Sequence, residues 1–452
     1  MDSNTFQPRA VPGSDEICEI LVRRIDHQKQ AVGIVVGIIE PNGRRVVALG
    51  HLANGDPRTV DGDTIFEIGS VSKVFTSLLL ADMVNRNEVA LDDPAAKYLP
   101  GDVTLPERNG KAITLLDLST HRSGLPSLPT NLKPKDPHNP YADYRVDDLY
   151  QFLSGYTLPR DPGSEFEYSN LGAGLLGHLL ASRAGTDYES LIRIRITEPL
   201  GMSDTGIALA SSMKPRMATG HNAMLVPVAN WDFLTLAGAG ALRSSANNLL
   251  TLLEAFLGYR ESPLAPAMKA MLDVRRRHGQ TEIGLGWMIS SAHDRHIAVH
   301  DGGTGGFRSW VGYDPKERIG VVVLSNASTL IGGFDIGIHL LDPKWPLANP
   351  EAPQERTEVA IDPRLLDRCT GRYQVTPTLI LEITRDGNRL FAQALIQTNS
   401  GPKFELFAES ENKFFAKVSD KQLAFDTGPD GRATSLILYA AGRQPMPATR
   451  VP

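Results

Sequence analysis

Cysteine is nearly absent: Cys18 and Cys369 are the only two in 452 residues. Two thiols so far apart cannot make a disulfide framework, and they are too few for a structural zinc site. Their scarcity suits a reducing compartment. The sequence also lacks any run of about 18 apolar residues, so no membrane-spanning helix is expected. The opening stretch, MDSNTFQPRAVPGSDEICEI, has neither a basic start nor an apolar core. The expectation is a chain without a signal peptide that stays in the cytoplasm, or a periplasmic or secreted one if a leader has been removed. No Lys/Arg-rich segment interleaves with aromatics and the net charge is only −6, so nucleic acid is not an expected partner. What remains is an ordinary globular composition, 41% hydrophobic and 22% charged, on a chain long enough for two or three domains.

The patterning divides the chain. Residues 15–30 carry Ile17, Ile20, Leu21 and Ile25 at helical spacing. Residues 31–40 form a β-branched run, and Pro41-Asn42-Gly43 turns the chain back through Arg45–Leu52, a hairpin signal. An apolar helix is expected over 70–86, and its nearly continuous apolarity predicts burial between layers. Residues 90–295 read as helices joined by long loops. The longest, 123–147, holds five prolines; a stretch of that length is either a functional wall or a tolerated insertion. Two strands, Phe307–Tyr313 and Arg318–Ser325, follow, then a helix at about 329–342. Strands at both ends with helices between predict an α+β domain, an antiparallel sheet closed by both chain ends. Four prolines in 343–358 read as a linker. Beyond it, short alternating runs separated by Gly-rich turns predict a small antiparallel β-barrel or sandwich. The expected division is therefore 1–345, a linker at 346–358, and 359–452.

Three elements carry chemistry. Ser70-Val71-Ser72-Lys73 opens the apolar helix, and residues i and i+3 share a face. A serine hydroxyl needs a base beside it to become a nucleophile. A lysine in a partly dry site can lose its proton near neutral pH. The same spacing recurs at Ser211–Lys214, Ser400–Lys403 and Ser410–Lys413, but none of these opens a buried helix. Tyr168-Ser169-Asn170 is the second element. A phenolate there could take a proton from Ser70, and Asn170 could fix Lys73 or a substrate carbonyl; equally, Asn170 could cap the helix that follows. The third is His300-Asp301-Gly302-Gly303-Thr304-Gly305-Gly306. Its glycines let a substrate lie close and leave backbone N–H groups free for an oxyanion; the alternative is a flexible hairpin. His293, His296 and His300 do not suggest a metal, because residues four apart on a strand are about 13 Å apart. Tyr141 and Tyr144 on the proline-rich loop are candidate pocket residues or plain surface aromatics.

In this order, IFEIGSVSKVFTSLLLADMV, PGSEFEYSNLG and HDGGTGGF make the chain resemble the class C β-lactamase and penicillin-binding-protein-related serine hydrolases, a group with esterase and D-aminopeptidase-like members. LLDLSTHRSGLP and AGALRSSANNLLTLL fit as well, and the resemblance spans about residues 10–345. It implies a β-lactamase/transpeptidase-like fold with a helical subdomain. It implies Ser70 as the acylated nucleophile, Lys73 and Tyr168 as shared bases, and Tyr168 as proton donor to the leaving group. Asn170 would order Lys73 and substrate, and the N–H groups of Ser70 and Gly303, with Gly302 beside them, would hold the oxyanion. No cofactor and no metal are implied, and the partner is a small-molecule or short-peptide substrate. The C-terminal barrel resembles the lipocalin-like modules appended to some members.

The sequence departs from the family pattern at His300 and Asp301, where relatives carry Lys-Thr. That pair suits a substrate carboxylate; an Asp facing the site would repel one, and His is not reliably cationic at neutral pH. The expected activity is hydrolysis of esters or amides through acyl-Ser70, with a β-lactam as one candidate. The alternatives are a D-amino-acid-specific peptidase or acyl transferase, and a penicillin-binding protein that acylates without turnover.

Overall fold

The computed structural model describes residues 11–452 except 274–275, 330, 355, 378, 397–398, 401–402, 420 and 441–443, and except the side chains of 294, 396, 399 and 400. Gly401 and Pro402, within one of the Gly-rich turns expected beyond the linker, therefore lie outside the described residues. Gly33–Glu40 and Gly43–Gly50 form the hairpin that Asn42-Gly43 announces, with Glu40 paired to Gly43. Gly33–Glu40 then pairs antiparallel with Ile319–Ser325, Val36 facing Val323, so the two ends of the domain meet in one sheet. From that seam the sheet continues through Arg308–Asp314 and Ile297–Gly303 to Met288–Ser290, Thr281–Ile283 and Arg276–His278. The β-branched runs of the central strands are buried on both faces, which is why they do not alternate.

One face is covered by the helices Ser14–Val22 and Phe334–Leu341, with Ile17, Leu21, Trp310 and Ile336 in a shared core. A buried ion pair, Arg24 Nη2 to Asp335 Oδ2 at 2.5 Å, ties the segment after the first helix to the last one. The last helix starts later than the sequence suggests because Gly332 adopts a φ of +51° just before it. The other face carries the helical layer, including Ser72–Asn85, Asn170–Ala184 and Ala246–Phe256. Ser72–Asn85 is buried nearly all round. Its buried hydroxyls are each tied to another segment: Ser72 Oγ accepts from the Leu242 N–H, Thr76 Oγ donates to the Gly238 carbonyl, and Ser77 meets Ser119. Lys73 is the remaining polar side chain of its first turn.

In the C-terminal part, eight antiparallel strands close into a barrel as Leu379–Asp386 pairs with both Gly371–Thr376 and Arg389–Ile396. Hairpin turns at Asp386–Arg389 and Thr427–Ala433 fall where the Gly-rich signals stood. Tyr373, Leu381, Leu390, Phe414 and Phe425 alternate inward to fill it. The connecting segment is held at both ends: Gln28 Nε2 reaches Asn349 and Gln30 Nε2 reaches the Glu351 carbonyl, while the Val359 N–H reaches the Ala408 carbonyl in the barrel. Among the described residues, no helix is long and apolar enough to cross a membrane.

Asp335→Ala should strand the buried Arg24 charge and destabilise the sheet domain by about 3–5 kcal/mol in denaturant unfolding. The double change Arg24→Met with Asp335→Leu should recover most of that. A single variant as stable as the parent would contradict the assignment of this pair.

Candidate active site

Ser70 sits in the tight turn Gly69–Val71 that leads into the helix Ser72–Asn85. The turn places its hydroxyl one helical step below Lys73, and Lys73 Nζ lies 2.9 Å from Ser70 Oγ. Two further acceptors fix the amine: Asn170 Oδ1 at 2.8 Å and the Ala239 carbonyl at 2.6 Å. Neither of these can donate. A neutral Lys73 amine therefore gives its two N–H bonds to Asn170 and Ala239, and its lone pair faces Ser70. Lys73 is 2% exposed. That burial pulls its pKa from 10.5 down to about 7, against the opposing attraction of Asp301.

Asn170 and Tyr168 arrive on the start of the helix Asn170–Ala184. The cap of this helix is Ser169, whose Oγ accepts from the Gly172 N–H. That corrects the capping role open to Asn170 and frees its carboxamide for Lys73. The proline-rich loop holds this corner in place. The Ser127 carbonyl accepts from the Asn170 and Leu171 N–H groups, and the Pro126 carbonyl accepts from Ser169 Oγ. Tyr168 adjoins Ser70, and Lys73 Nζ lies 4.9 Å from its ring centre. Burial raises the Tyr168 phenol above its ordinary value, so it is a neutral O–H at neutral pH rather than the phenolate considered from sequence.

The third element is a strand edge. Ile297–Gly303 pairs with Met288–Ser290 only over Ile297–Val299, so the edge beyond is free to meet the Ser70 turn. Contact is close enough to demand glycine on both sides. A methyl group on Gly302 would lie 2.1 Å from the Ile68 carbonyl oxygen and 2.9 Å from the Ser70 nitrogen. One on Gly69, whose φ is +48°, would lie 2.7 Å from the Gly303 nitrogen. The backbone amides of Ser70 and Gly303 are thereby brought side by side. Ser309 Oγ, on the neighbouring strand, donates to the Ile68 carbonyl and locks the approach.

His300 is 3% exposed and points to the Lys73 side of the sheet. Its Nδ1–H donates to the Asp301 carbonyl at 2.7 Å, which leaves Nε2 as an acceptor. Burial lowers its pKa, so the ring is neutral at neutral pH. Strand alternation turns Asp301 to the opposite face, beside Trp310. There it is exposed and shares a cavity of about 410 Å³ with Arg308 and Phe334. It acts on Lys73, Tyr168 and His300 through its charge rather than by contact. His293 instead bonds Asp342, and His296 meets Ser291. Among the described residues no three metal-ligating side chains converge.

Sequence reasoning missed several participants. His121 packs against the Tyr168 ring, 4.5 Å between centres and tilted by 33°, and its Nδ1 accepts from the Ser169 N–H. Burial, with Lys73 and His300 nearby, holds its pKa well below normal, so it too is neutral. Ala239 opens the family-like stretch AGALRSSANNLLTLL, but the part its carbonyl plays has no signal in a side chain. Of the two loop tyrosines that the sequence offered as pocket residues, Tyr141 accepts from the Asn170 carboxamide nitrogen at 3.5 Å. Tyr144 turns away to Asn131 and the core.

Comparison with known proteins places the chain in a family. The Beta-lactamase family model matches residues 19–340, and a domain of unknown function (DUF3471) matches residues 355–449. The D-alanyl-D-alanine-carboxypeptidase/endopeptidase AmpH of Escherichia coli is 28% identical over 69% of this chain and 84% of its own. Penicillin-binding protein 4* of Bacillus subtilis is 25% identical over 88% of this chain and 90% of its own. A class C β-lactamase structure from Rhodobacter sphaeroides superposes with a TM-score of 0.60 at 26% identity, covering 70% of this chain and 94% of that one. The octameric penicillin-binding protein homologue from Pyrococcus abyssi shares the fold over 97% of this chain and all of its own, with a TM-score of 0.64 at 22% identity. Matched over most of its length by that family model, the chain belongs to the β-lactamase family of serine hydrolases.

Proposed function

We propose that this protein cleaves esters or amides through an acyl-Ser70 intermediate. The observation that carries the reading is the placement of Lys73 Nζ 2.9 Å from Ser70 Oγ, with two carbonyl oxygens at hand to take its N–H bonds and leave its lone pair for Ser70. As Ser70 Oγ attacks the substrate carbonyl, Lys73 takes its proton. The amides of Ser70 and Gly303 bind the oxyanion, with Gly302 allowing the approach. Tyr168 gives its phenol proton to the leaving group, and the proton on Lys73 then passes to Tyr168, whose ring centre lies 4.9 Å from Lys73 Nζ. Water then attacks the acyl group along the same proton path in reverse. His300 and His121 pack around Tyr168 and Lys73 as neutral rings, and no cofactor or metal has a role.

The substrate is neutral around the scissile bond. His300 and His121 offer no cation, and Asp301, turned to the opposite face of the sheet beside the Arg308 cation, reaches the site only through its charge. This favours a small ester or amide over a ligand with an adjacent carboxylate. A D-peptidase or acyl-transfer reaction is the second reading, favoured by the name of the AmpH relative. A protein that acylates without turnover is the third, favoured by the name of the Bacillus one. The same reading assigns residues 1–345 to the hydrolase domain, 346–358 to a linker and 359–452 to the barrel.

Incubation with p-nitrophenyl butyrate, a penicillin and a D-Ala-D-Ala peptide, followed by product release and intact mass, separates these readings. Ester turnover with a transient adduct supports the proposal, and Ser70→Ala should abolish both. Turnover surviving that substitution would sink it, and a lasting adduct without turnover would favour the third reading. The profile of kcat/KM against pH supplies a second check. Lys73 is a base only when deprotonated, so activity should rise with pH through its pKa of about 7. A profile that stays flat across that value would contradict Lys73 as the base.

A further inference from the structure

Beside Ser70 stands a group of aromatic rings that the mechanism does not use. Tyr141, from the proline-rich loop, stacks on Phe233 at 4.4 Å between ring centres with an interplanar angle of 15°. Trp231 lies against both, at 5.5 Å from Tyr141 and 6.2 Å from Phe233. Tyr141 is buried, but Trp231 and Phe233 keep part of their surface in solvent. The trio borders the reaction centre along one side. Tyr141 adjoins Asn170. The tip of Phe233 lies over Gly240, where a methyl group would be 3.1 Å from its Cζ and 3.6 Å from the Gly69 carbonyl carbon. The indole of Trp231 lies over Gly305, in the hairpin beyond Gly303.

This arrangement is built rather than incidental. Asn139 and Asp232 exchange two hydrogen bonds, at 2.9 and 2.8 Å, which join the proline-rich loop to the aromatic segment. Thr235 Oγ adds a third tie by donating to the Tyr144 carbonyl. The Trp231 backbone is anchored to the strand just before Ser70. Its N–H donates to Glu67 Oε1 at 2.9 Å, and its carbonyl accepts from Arg243 at 3.1 Å. Glu67 and Arg243 are themselves a buried pair facing each other across Ile65–Glu67 and Arg243–Ser245. The Trp231 indole N–H is buried and has no hydrogen-bond partner in the structure.

Resting on the acyl-Ser70 reading, we infer that the Tyr141–Phe233–Trp231 platform receives the acyl part of the substrate and selects a flat aromatic or arylalkyl group there. The leaving group must lie toward Tyr168, whose proton it takes. The acyl substituent is then the part left on the Asn170, Gly240 and Gly305 side, where the rings stand. Partly exposed rings fixed in place offer area and edge-to-face or stacked contacts with little ordering on binding. No cationic side chain belongs to the platform, so an anionic acyl group gains nothing there.

Two esters with the same leaving group, p-nitrophenyl acetate and p-nitrophenyl phenylacetate, isolate the acyl side. The parent protein should favour phenylacetate by at least tenfold in kcat/KM. Phe233→Ala should lower that ratio at least tenfold, while Phe233→Tyr, which keeps the ring, should preserve it. Phe233→Leu, with near-parental melting, guards against a folding defect. A ratio near one in the parent, or a ratio unchanged in Phe233→Ala while both esters are hydrolysed, overturns the platform but leaves acyl-Ser70 standing. If the parent hydrolyses neither ester and forms no Ser70 adduct, the acyl-Ser70 reading fails and the platform fails with it.

Discussion

A lysine amine buried at the centre of the molecule is the constraint on which the rest of the site depends. An ammonium in that position would be poorly solvated, and its burial outweighs the attraction of Asp301. The outcome is an amine with a pKa of about 7, poised to change state at working pH. Its hydrogen-bond geometry then decides what it does. Asn170 Oδ1 and the Ala239 carbonyl oxygen can only accept, so they claim N–H bonds and leave Ser70 at the lone pair. The same carbonyls would also stabilise the ammonium formed during the reaction, with Ser70 as third acceptor. One cradle serves both protonation states.

Most of the fold can be understood as holding that cradle. The helix Ser72–Asn85 places Lys73 above Ser70, and its other polar side chains pin it to three separate segments. The proline-rich loop caps the helix that carries Asn170 and positions Tyr168. The sheet, closed by the two ends of its domain, delivers a free strand edge against the Ser70 turn. Glycines at 69 and 302 permit the contact that aligns the Ser70 and Gly303 amides. The neighbouring titratable groups, His121, His300 and Tyr168, are all held neutral by burial. The reaction centre therefore carries one switchable charge rather than several.

Much of this was legible in sequence where it rests on local pattern. The buried helix, the Asn42-Gly43 hairpin and the pairing of the domain's ends follow from apolar runs and turn residues. The barrel hairpins follow from Gly-rich signals. Ser70 and Lys73 stood out because a charged residue in an apolar helix needs a reason. Features set by tertiary packing were not legible. Ser169 rather than Asn170 caps its helix, since the choice depends on where the Pro126 carbonyl lies. The neutral state of Tyr168 reflects burial that no motif encodes. The role of the Ala239 carbonyl and the placing of the rings at 231 and 233 depend on tertiary packing, although Ala239 opens a stretch that fits the family. Asp301 could be placed only once strand register put it opposite His300's face.

The most direct measurement of the central claim is the pre-steady-state rate of Ser70 acylation against pH for the parent and for Asn170→Asp. The substitution keeps the shape of the side chain but sets a carboxylate 2.8 Å from Lys73 Nζ, where the amide oxygen now lies. An opposite charge at that distance raises an amine pKa by about one to three units. The rise in acylation rate should therefore move from about 7 to correspondingly higher pH. A profile that loses amplitude without moving, or does not change at all, would contradict a Lys73 base governed by Asn170.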